Sequence, residues 1–166
     1  MKVVLDPVHG YIELDEVVQE LLDTPQIQRL RRVRQLGFSN LVYPGANHTR
    51  FEHSLGTMHL ASMLMKNLDS IDEDKKLEIR VASLLHDVGH GPFSHVTENV
   101  IYKYTRRRHD EIKEILGKGE IKEVLKKYGI YPGELAKHVE GETSLGQILS
   151  SEIDVDRMDY LVRDAH

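Results

Sequence analysis

The chain has 166 residues, 27 acidic against 22 basic side chains, a net charge of −5 and no cysteine. That length suits one domain with a real core. The composition excludes a disulfide framework and thiolate metal sites, and the net charge argues against a general nucleic-acid coat. No apolar run approaches the length of a membrane span, and Met1-Lys2 leads directly into Val3-Val4-Leu5 without a signal-like start, so the expectation is a soluble, cytoplasmic protein.

Residues 2–5 and 9–14 read as two short strands about a turn containing Pro7 and Gly10. Asp15 can cap a helix whose apolar face is Val17, Val18, Leu21 and Leu22. Thr24-Pro25 is a sharp helix start, and Ile27, Leu30, Val33 and Leu36 supply a buried stripe up to Gly37. An irregular segment, 38–49, follows. A long helix is then expected from Arg50 to Leu68, with Phe51, Leu55, Met58, Ala61 and Met65 at helical spacing and His53 in its first turn. Asp74 is the expected cap of the next helix, with Leu77, Val81, Leu84 and Leu85 as its core face. Further helices are expected over 93–104, 109–117, 119–128, 132–139 and 152–164. No repeat or linker divides the chain.

Charge and histidine are unevenly placed. From Thr24 to Phe51 there is no acidic residue, while Arg29, Arg31, Arg32, Arg34 and Arg50 lie there, a segment able to attract an anion. A second basic cluster, Lys103 and Arg106-Arg107-Arg108, precedes His109. Seven of the ten histidines, His48, His53, His59, His86, His90, His95 and His109, fall in the middle of the chain, and one centre built from several of them is the economical reading. The stretch Leu84 to His95 is the most informative: a helix exit presents His86 and Asp87 side by side, and Gly89, Gly91 and Pro92 stop the helix. Imidazole and carboxylate are both metal ligands, and small residues leave room for an ion, a water and a phosphate. His53, His86, Asp87 and Asp156 would bring two imidazoles and two carboxylates from three helices to one divalent ion (Fe, Mn, Zn, Ni or Mg). Asp154 competes for the fourth place; on a helix it points about 200° away from Asp156, so both cannot serve one ion.

The order His53, His86-Asp87, Asp156 resembles the HD-domain metal-dependent phosphohydrolases, a helical fold. The resemblance extends over nearly all of the chain. Asp6-Pro7-Val8-His9-Gly10, Asp23-Thr24-Pro25-Gln26, Gln35-Leu36-Gly37, Pro44-Gly45-Ala46, Thr49 to Gly56, His86 to His95 and Asp154 to Tyr160 are similar to the deoxynucleoside triphosphate triphosphohydrolase branch. It implies a mainly all-α HD-domain helical bundle with a small N-terminal β-hairpin. Residues 1–166 would form a single HD domain, the N-terminal catalytic part of a longer chain whose remainder adds substrate contacts and oligomer interface. The choice of Asp156 over Asp154 as ligand rests on this resemblance.

The activity so implied is hydrolysis of a dNTP to deoxynucleoside and triphosphate. The resemblance further implies Arg50, His90, His95 and Arg157 at the phosphates, and His109 paired with Glu98 as proton carrier, where relatives are expected to have Asp in place of Glu98. Gln35 and Asp164 would hold the sugar 3′ hydroxyl, with Leu36 and Tyr160 closing the 2′ side. Lys2, Val3, Asp23, Gln28 and Arg31 match a guanine-nucleotide activator pocket between subunits of a homo-oligomer. Two other readings stay open: an HD phosphohydrolase acting on another nucleotide phosphoester, and a catalytically silent module binding nucleotide or nucleic acid.

Overall fold

The computed structural model describes residues 2–106 and 108–166, so that Arg107 of the second basic cluster lies outside the described residues. β1 (Lys2–Asp6) and β2 (Gly10–Leu14) form an antiparallel hairpin with Lys2 opposite Leu14 and Asp6 opposite Gly10. Alternation turns Ile12 and Leu14 inward and leaves Tyr11 and Glu13 exposed. Helix follows: α1 (Glu16–Leu22) starts at Asp15, whose Oδ1 accepts from the Val18 N–H at 3.0 Å and so satisfies one of the open amides of the first turn.

The helix expected to run to Leu36 is much shorter. α2 (Pro25–Gln28) passes into a 3-10 turn over Arg29–Arg32, and Val33 is extended. The reason is the use made of the backbone beyond it. The Val33 carbonyl accepts from the Arg50 N–H at 2.9 Å, and the Gln35 N–H donates to the His48 carbonyl at 3.2 Å. A continued helix would have taken those groups for itself. The bridge instead ties residues 33–35 to the start of α3 (Arg50–Lys66), which carries a complete capping box between Thr49 and Glu52.

α4 (Glu73–Leu85) is capped by Asp72, not Asp74: Asp72 Oδ1 accepts from the Lys75 N–H at 2.9 Å, and Asp74 lies in the first turn. The chain leaves α4 through a 3-10 turn, His86–Gly89, into α5 (His95–Thr105). The helix expected over 109–117 is reduced to α6 (Lys113–Leu116), because residues 108–112 turn to lay the His109 backbone on Gly89, where any Cβ would overlap the His109 carbonyl. α7 (Gly119–Lys127), α8 (Pro132–Val139) and α9 (Val155–Ala165) follow, the last starting three residues later than its pattern suggests.

α3 is the central element, packed on α4 along one side and on α9 along another. One cluster of buried apolar side chains runs from Ile12 to Val155, with Leu55, Met58 and Met65 of α3 against Ile79, Leu84 and Leu85 of α4. The fold is therefore mainly helical with a small hairpin, as expected. Among the described residues no helix is long and apolar enough to cross a membrane.

Where α3 meets α9, Gly56 faces Asp159 and Arg163 so closely that a Cβ there would overlap the Asp159 carboxylate. Gly56→Ala is therefore expected to destabilise the protein by roughly 1–3 kcal/mol, the cost of overpacking, although Ala is the better helix former. A thermal melt of the variant at or above the wild-type temperature would refute the close approach.

Candidate metal centre

α3 delivers His53 one turn inside its capping box, the exit of α4 delivers His86 and Asp87, and the first turn of α9 delivers Asp156. His53 Nδ1 lies 2.8 Å from Asp159 Oδ2, and His86 Nδ1 lies 2.7 Å from the Ser83 carbonyl. Both partners only accept, so each Nδ1 carries the hydrogen and each neutral ring presents its Nε2 lone pair. Those two Nε2 atoms stand 3.3 Å apart, with Asp156 Oδ1 2.9 Å from His53 and 3.8 Å from His86. The Asp87 carboxylate is 3.7 Å from His53 Nε2 and 3.6 Å from His86 Nε2.

Lone pairs and carboxylates converging in this way repel one another unless a cation lies among them. Charge tells the same story. Asp6 and Asp159 share Arg163 and Asp87 faces Arg50, so these buried or half-buried carboxylates, with Asp156, outnumber their guanidiniums and favour a divalent cation among them. Ligating groups of His53, His86 and Asp156 lie within 4.8 Å of one another, so the residues present fit a divalent metal. Without metal a proton substitutes: burial opposes charge on His53, but hydrogen bonds to Asp156 and Asp159 and the Asp87 charge outweigh it and raise its pKa to about 9. Burial likewise opposes the Asp156 charge, yet His53 and His86 hold its carboxyl well below the usual range.

Asp154 is used elsewhere. It is the N-cap of α9, its Oδ1 accepting from the Arg157 N–H at 2.8 Å and its Oδ2 from the Ser151 N–H at 2.9 Å. Asp159, which the sequence reading passed over, is fully buried and orients His53. It also holds His9 Nε2 at 2.6 Å and Arg163 at 2.9 Å, and Arg163 reaches Asp6 at 3.0 Å. It lies three residues beyond Asp156 on the same face of α9, a spacing that places it near the centre without naming its partners.

A cavity of about 390 Å³ opens beside His86, Asp87 and Asp156. Its walls include Gln35, Leu36, Arg50, Tyr160 and Asp164. His90, His95 and His109 line it as well. Arg50 is buried and committed, donating to Asp87 Oδ2 at 2.6 Å and Ser94 Oγ at 2.8 Å. Gln35 Oε1 is buried and, among the described residues, without a hydrogen-bond partner. Asp164 Oδ1 is 3.1 Å from His48 Nε2. Glu98 lies behind the cavity wall, bonded to His109 Nδ1 and, at 3.1 Å, to His95 Nδ1. Burial pushes His90 down to about 4, against the opposing pull of Asp87. Asp110, Val139, Leu149 and Ser150 complete the wall; nothing in their local sequence marked them.

Two groups of expected site residues stand apart. Arg157 does not line the cavity; its exposed guanidinium is 4.0 Å from Asp154. Lys2, Val3, Asp23 and Arg31 are exposed and Gln28 half-buried. Arg31 donates to Gln28 Oε1 at 3.0 Å and covers the Phe51 ring at 3.6 Å, while Asp23 closes the end of α1.

The family model of the HD domain matches residues 50–164. An uncharacterized protein of Methanocaldococcus jannaschii is 43% identical over 166 residues, 100% of this chain and 34% of the relative. Human deoxynucleoside triphosphate triphosphohydrolase SAMHD1 is 36% identical over 207 residues, 100% of this chain and 33% of its own length. The uncharacterized YwfO of Bacillus subtilis is 39% identical over 176 residues, 99% and 40% respectively. The chain thus spans 33–40% of the length of these relatives.

Replacing Asp159 by Asn leaves a side chain of the same shape but removes the charge that orients His53. Metal affinity, measured by competition with a chelating dye, is expected to fall about 10–100-fold, the usual effect of losing an outer partner. Unchanged affinity with an intact helical spectrum would show that Asp159 serves only the fold.

Proposed function

The chain belongs to the HD domain family, and on that premise we propose that it is a metal-dependent phosphohydrolase that cleaves dNTPs to deoxynucleoside and triphosphate. The observation that carries the reading is the continuity of one cavity from His86, Asp87 and Asp156 to Gln35, Leu36, Tyr160 and Asp164. Phosphate-directed and sugar-directed groups therefore share one concave site. Similarity to the human enzyme, named for this reaction, adds the substrate class.

A divalent ion held by His53, His86, Asp87 and Asp156 would supply Lewis-acid polarisation of a phosphoryl oxygen and lower the pKa of a water. The remaining work falls to the chain. In the reaction a water oxygen bonds to the α-phosphorus, the bond from that phosphorus to the 5′ oxygen breaks, and the 5′ oxygen takes a proton. His109 is the carrier: Glu98 fixes its Nδ1 hydrogen and leaves Nε2 to exchange a proton with the reacting oxygens. Arg50 adds fixed positive charge to the phosphate wall through its bond to Asp87, and His90 and His95 flank it.

At the sugar end, the Asp164 carboxylate accepts the 3′ hydroxyl hydrogen, and the Gln35 side-chain amide, whose outer oxygen position is unpartnered, turns its N–H group to the hydroxyl oxygen. Leu36 and Tyr160 fill the volume that a 2′ hydroxyl needs. Residues 1–166 act as a single HD domain within a longer protein that assembles as a homo-oligomer. Lys2, Val3, Asp23, Gln28 and Arg31 bind an activating guanine nucleotide at a subunit contact; Asp23 accepts from the guanine N–H groups and Arg31 meets a phosphate or the carbonyl edge. Arg157, next to Asp156 at the start of α9 and exposed, is free to turn its guanidinium to the substrate phosphates.

The test is purified protein assayed against a panel of dNTPs and rNTPs with Mn²⁺ or Mg²⁺, with products resolved. Deoxynucleoside with triphosphate is expected; orthophosphate from monophosphates would establish the other phosphoesterase reading, and binding without turnover a silent module. Tyr160→Ala is expected to narrow the preference for dNTP over rNTP. A substrate lacking the 3′ hydroxyl should bind more weakly by roughly 1–3 kcal/mol, the cost of an unmade buried hydrogen bond. Equal turnover of dNTP and rNTP by the wild type would refute the sugar assignment.

A further inference from the structure

The sugar end of the cavity is held by a residue that is not part of its wall. His48 precedes the Thr49 cap of α3, and its main-chain carbonyl accepts from the Gln35 N–H at 3.2 Å. The neighbouring bridge between Arg34 and Thr49, and the bond from the Arg50 N–H to the Val33 carbonyl, keep that pairing in register. The His48 ring reaches α9, where its Nε2 lies 3.1 Å from Asp164 Oδ1. That nitrogen is buried and, among the described residues, has no aligned hydrogen bond. Burial pushes the imidazole below its usual value against the pull of Asp164, so the ring is neutral. A carboxylate only accepts, so the ring hydrogen sits on Nε2, facing it.

Asp164 needs such a partner. It lies in the last turn of α9, where open carbonyls carry the negative end of the helix dipole and repel a carboxylate. Its neighbour Arg163 is committed inward to Asp159 and Asp6. The Asp164 side chain is 33% exposed against 12% for His48, so the carboxylate is the member of the pair with room to turn. We propose that His48 is a positioning residue for sugar recognition, holding Gln35 through its main-chain carbonyl and Asp164 through Nε2, so that the two groups meeting the 3′ hydroxyl keep one spacing. The inference rests on the dNTP reading of the site and adds to it a residue behind the cavity wall. A turn of Asp164 brings the Nε2 hydrogen into line with Oδ1 and leaves Oδ2 to accept the hydroxyl hydrogen. Hydrogen bonds at such sites are commonly poorly aligned before the ligand binds and tighten when it does.

His48→Ala and His48→Gln test the ring apart from the carbonyl, since both keep the main chain and Gln keeps an N–H near the place of Nε2. Calorimetry measures the binding of a deoxynucleoside, the uncleaved product of the proposed reaction, and of its 2′,3′-dideoxy analogue to the metal-loaded chain. The wild type is expected to prefer the compound with the 3′ hydroxyl by about ten-fold or more. His48→Ala should lose most of that preference and His48→Gln should regain it. Affinity for metal, read with a chelating dye, should stay at the wild-type level in both. A loss that Gln does not rescue, or that takes metal affinity with it, would show a structural role and overturn the inference. So would His48→Ala with an undiminished preference, a result that leaves the sugar assignment of Gln35 and Asp164 standing. A wild type indifferent to the 3′ hydroxyl would overturn that assignment and the role of His48 with it.

Discussion

A carboxylate with no exposure to water must be paired on every side, and the fold is arranged so that Asp159 is. Its oxygens accept from His53 on α3, His9 in the hairpin turn and Arg163 one turn further along α9. Arg163 extends the chain of charge to Asp6 at the end of β1. Removing one partner of a buried pair typically costs about 3–5 kcal/mol, because the survivor is left uncompensated. The hairpin, α3 and α9 are therefore locked at one relative position by a single side chain. The missing Cβ of Gly56 is the condition that lets α9 come near enough for it.

The same lock sets the candidate metal ligands. His53 presents Nε2 to the centre because Asp159 occupies Nδ1, and Asp156 reaches that Nε2 because α9 is held against α3. Asp87 is held in turn by Arg50, whose guanidinium also bonds Ser94 in a loop where Phe93 and Ser94 adopt left-handed φ values of 62° and 51°. Such a conformation costs non-glycine residues of order 1–3 kcal/mol each. Ser94 offsets it by accepting from Arg50 and donating to the Arg34 carbonyl at 2.8 Å. His53, Asp156, Asp87, Arg50 and the loop geometry are thus parts of one hydrogen-bonded frame.

Much of this was legible in the residues. Apolar spacing marked α3 and α4, and His86-Asp87 fell at a helix exit with glycines behind it. What sequence could not show was non-local. Val33 to Leu36 continues a helical stripe, yet the backbone there leaves the helix to bond His48 and Arg50. Asp154 and Asp156 are equivalent as ligand types, and only the Ser151 and Arg157 amides show that the first is a cap. Asp159 reads as one more acidic residue on an amphipathic helix, since its partners lie 106 and 150 positions away.

Those separations have a consequence for how the protein is made. A ligand set that needs α3, the α4 exit and α9 cannot exist on a growing chain until the last of these has emerged from the ribosome. Contacts of such long range form late, after most of the loop-closure entropy has been overcome. Earlier fragments present His53, His86 and Asp87 without Asp156, so the set is one carboxylate short. With these four residues as the ligands, metal retention is expected only of a chain that reaches Asp156.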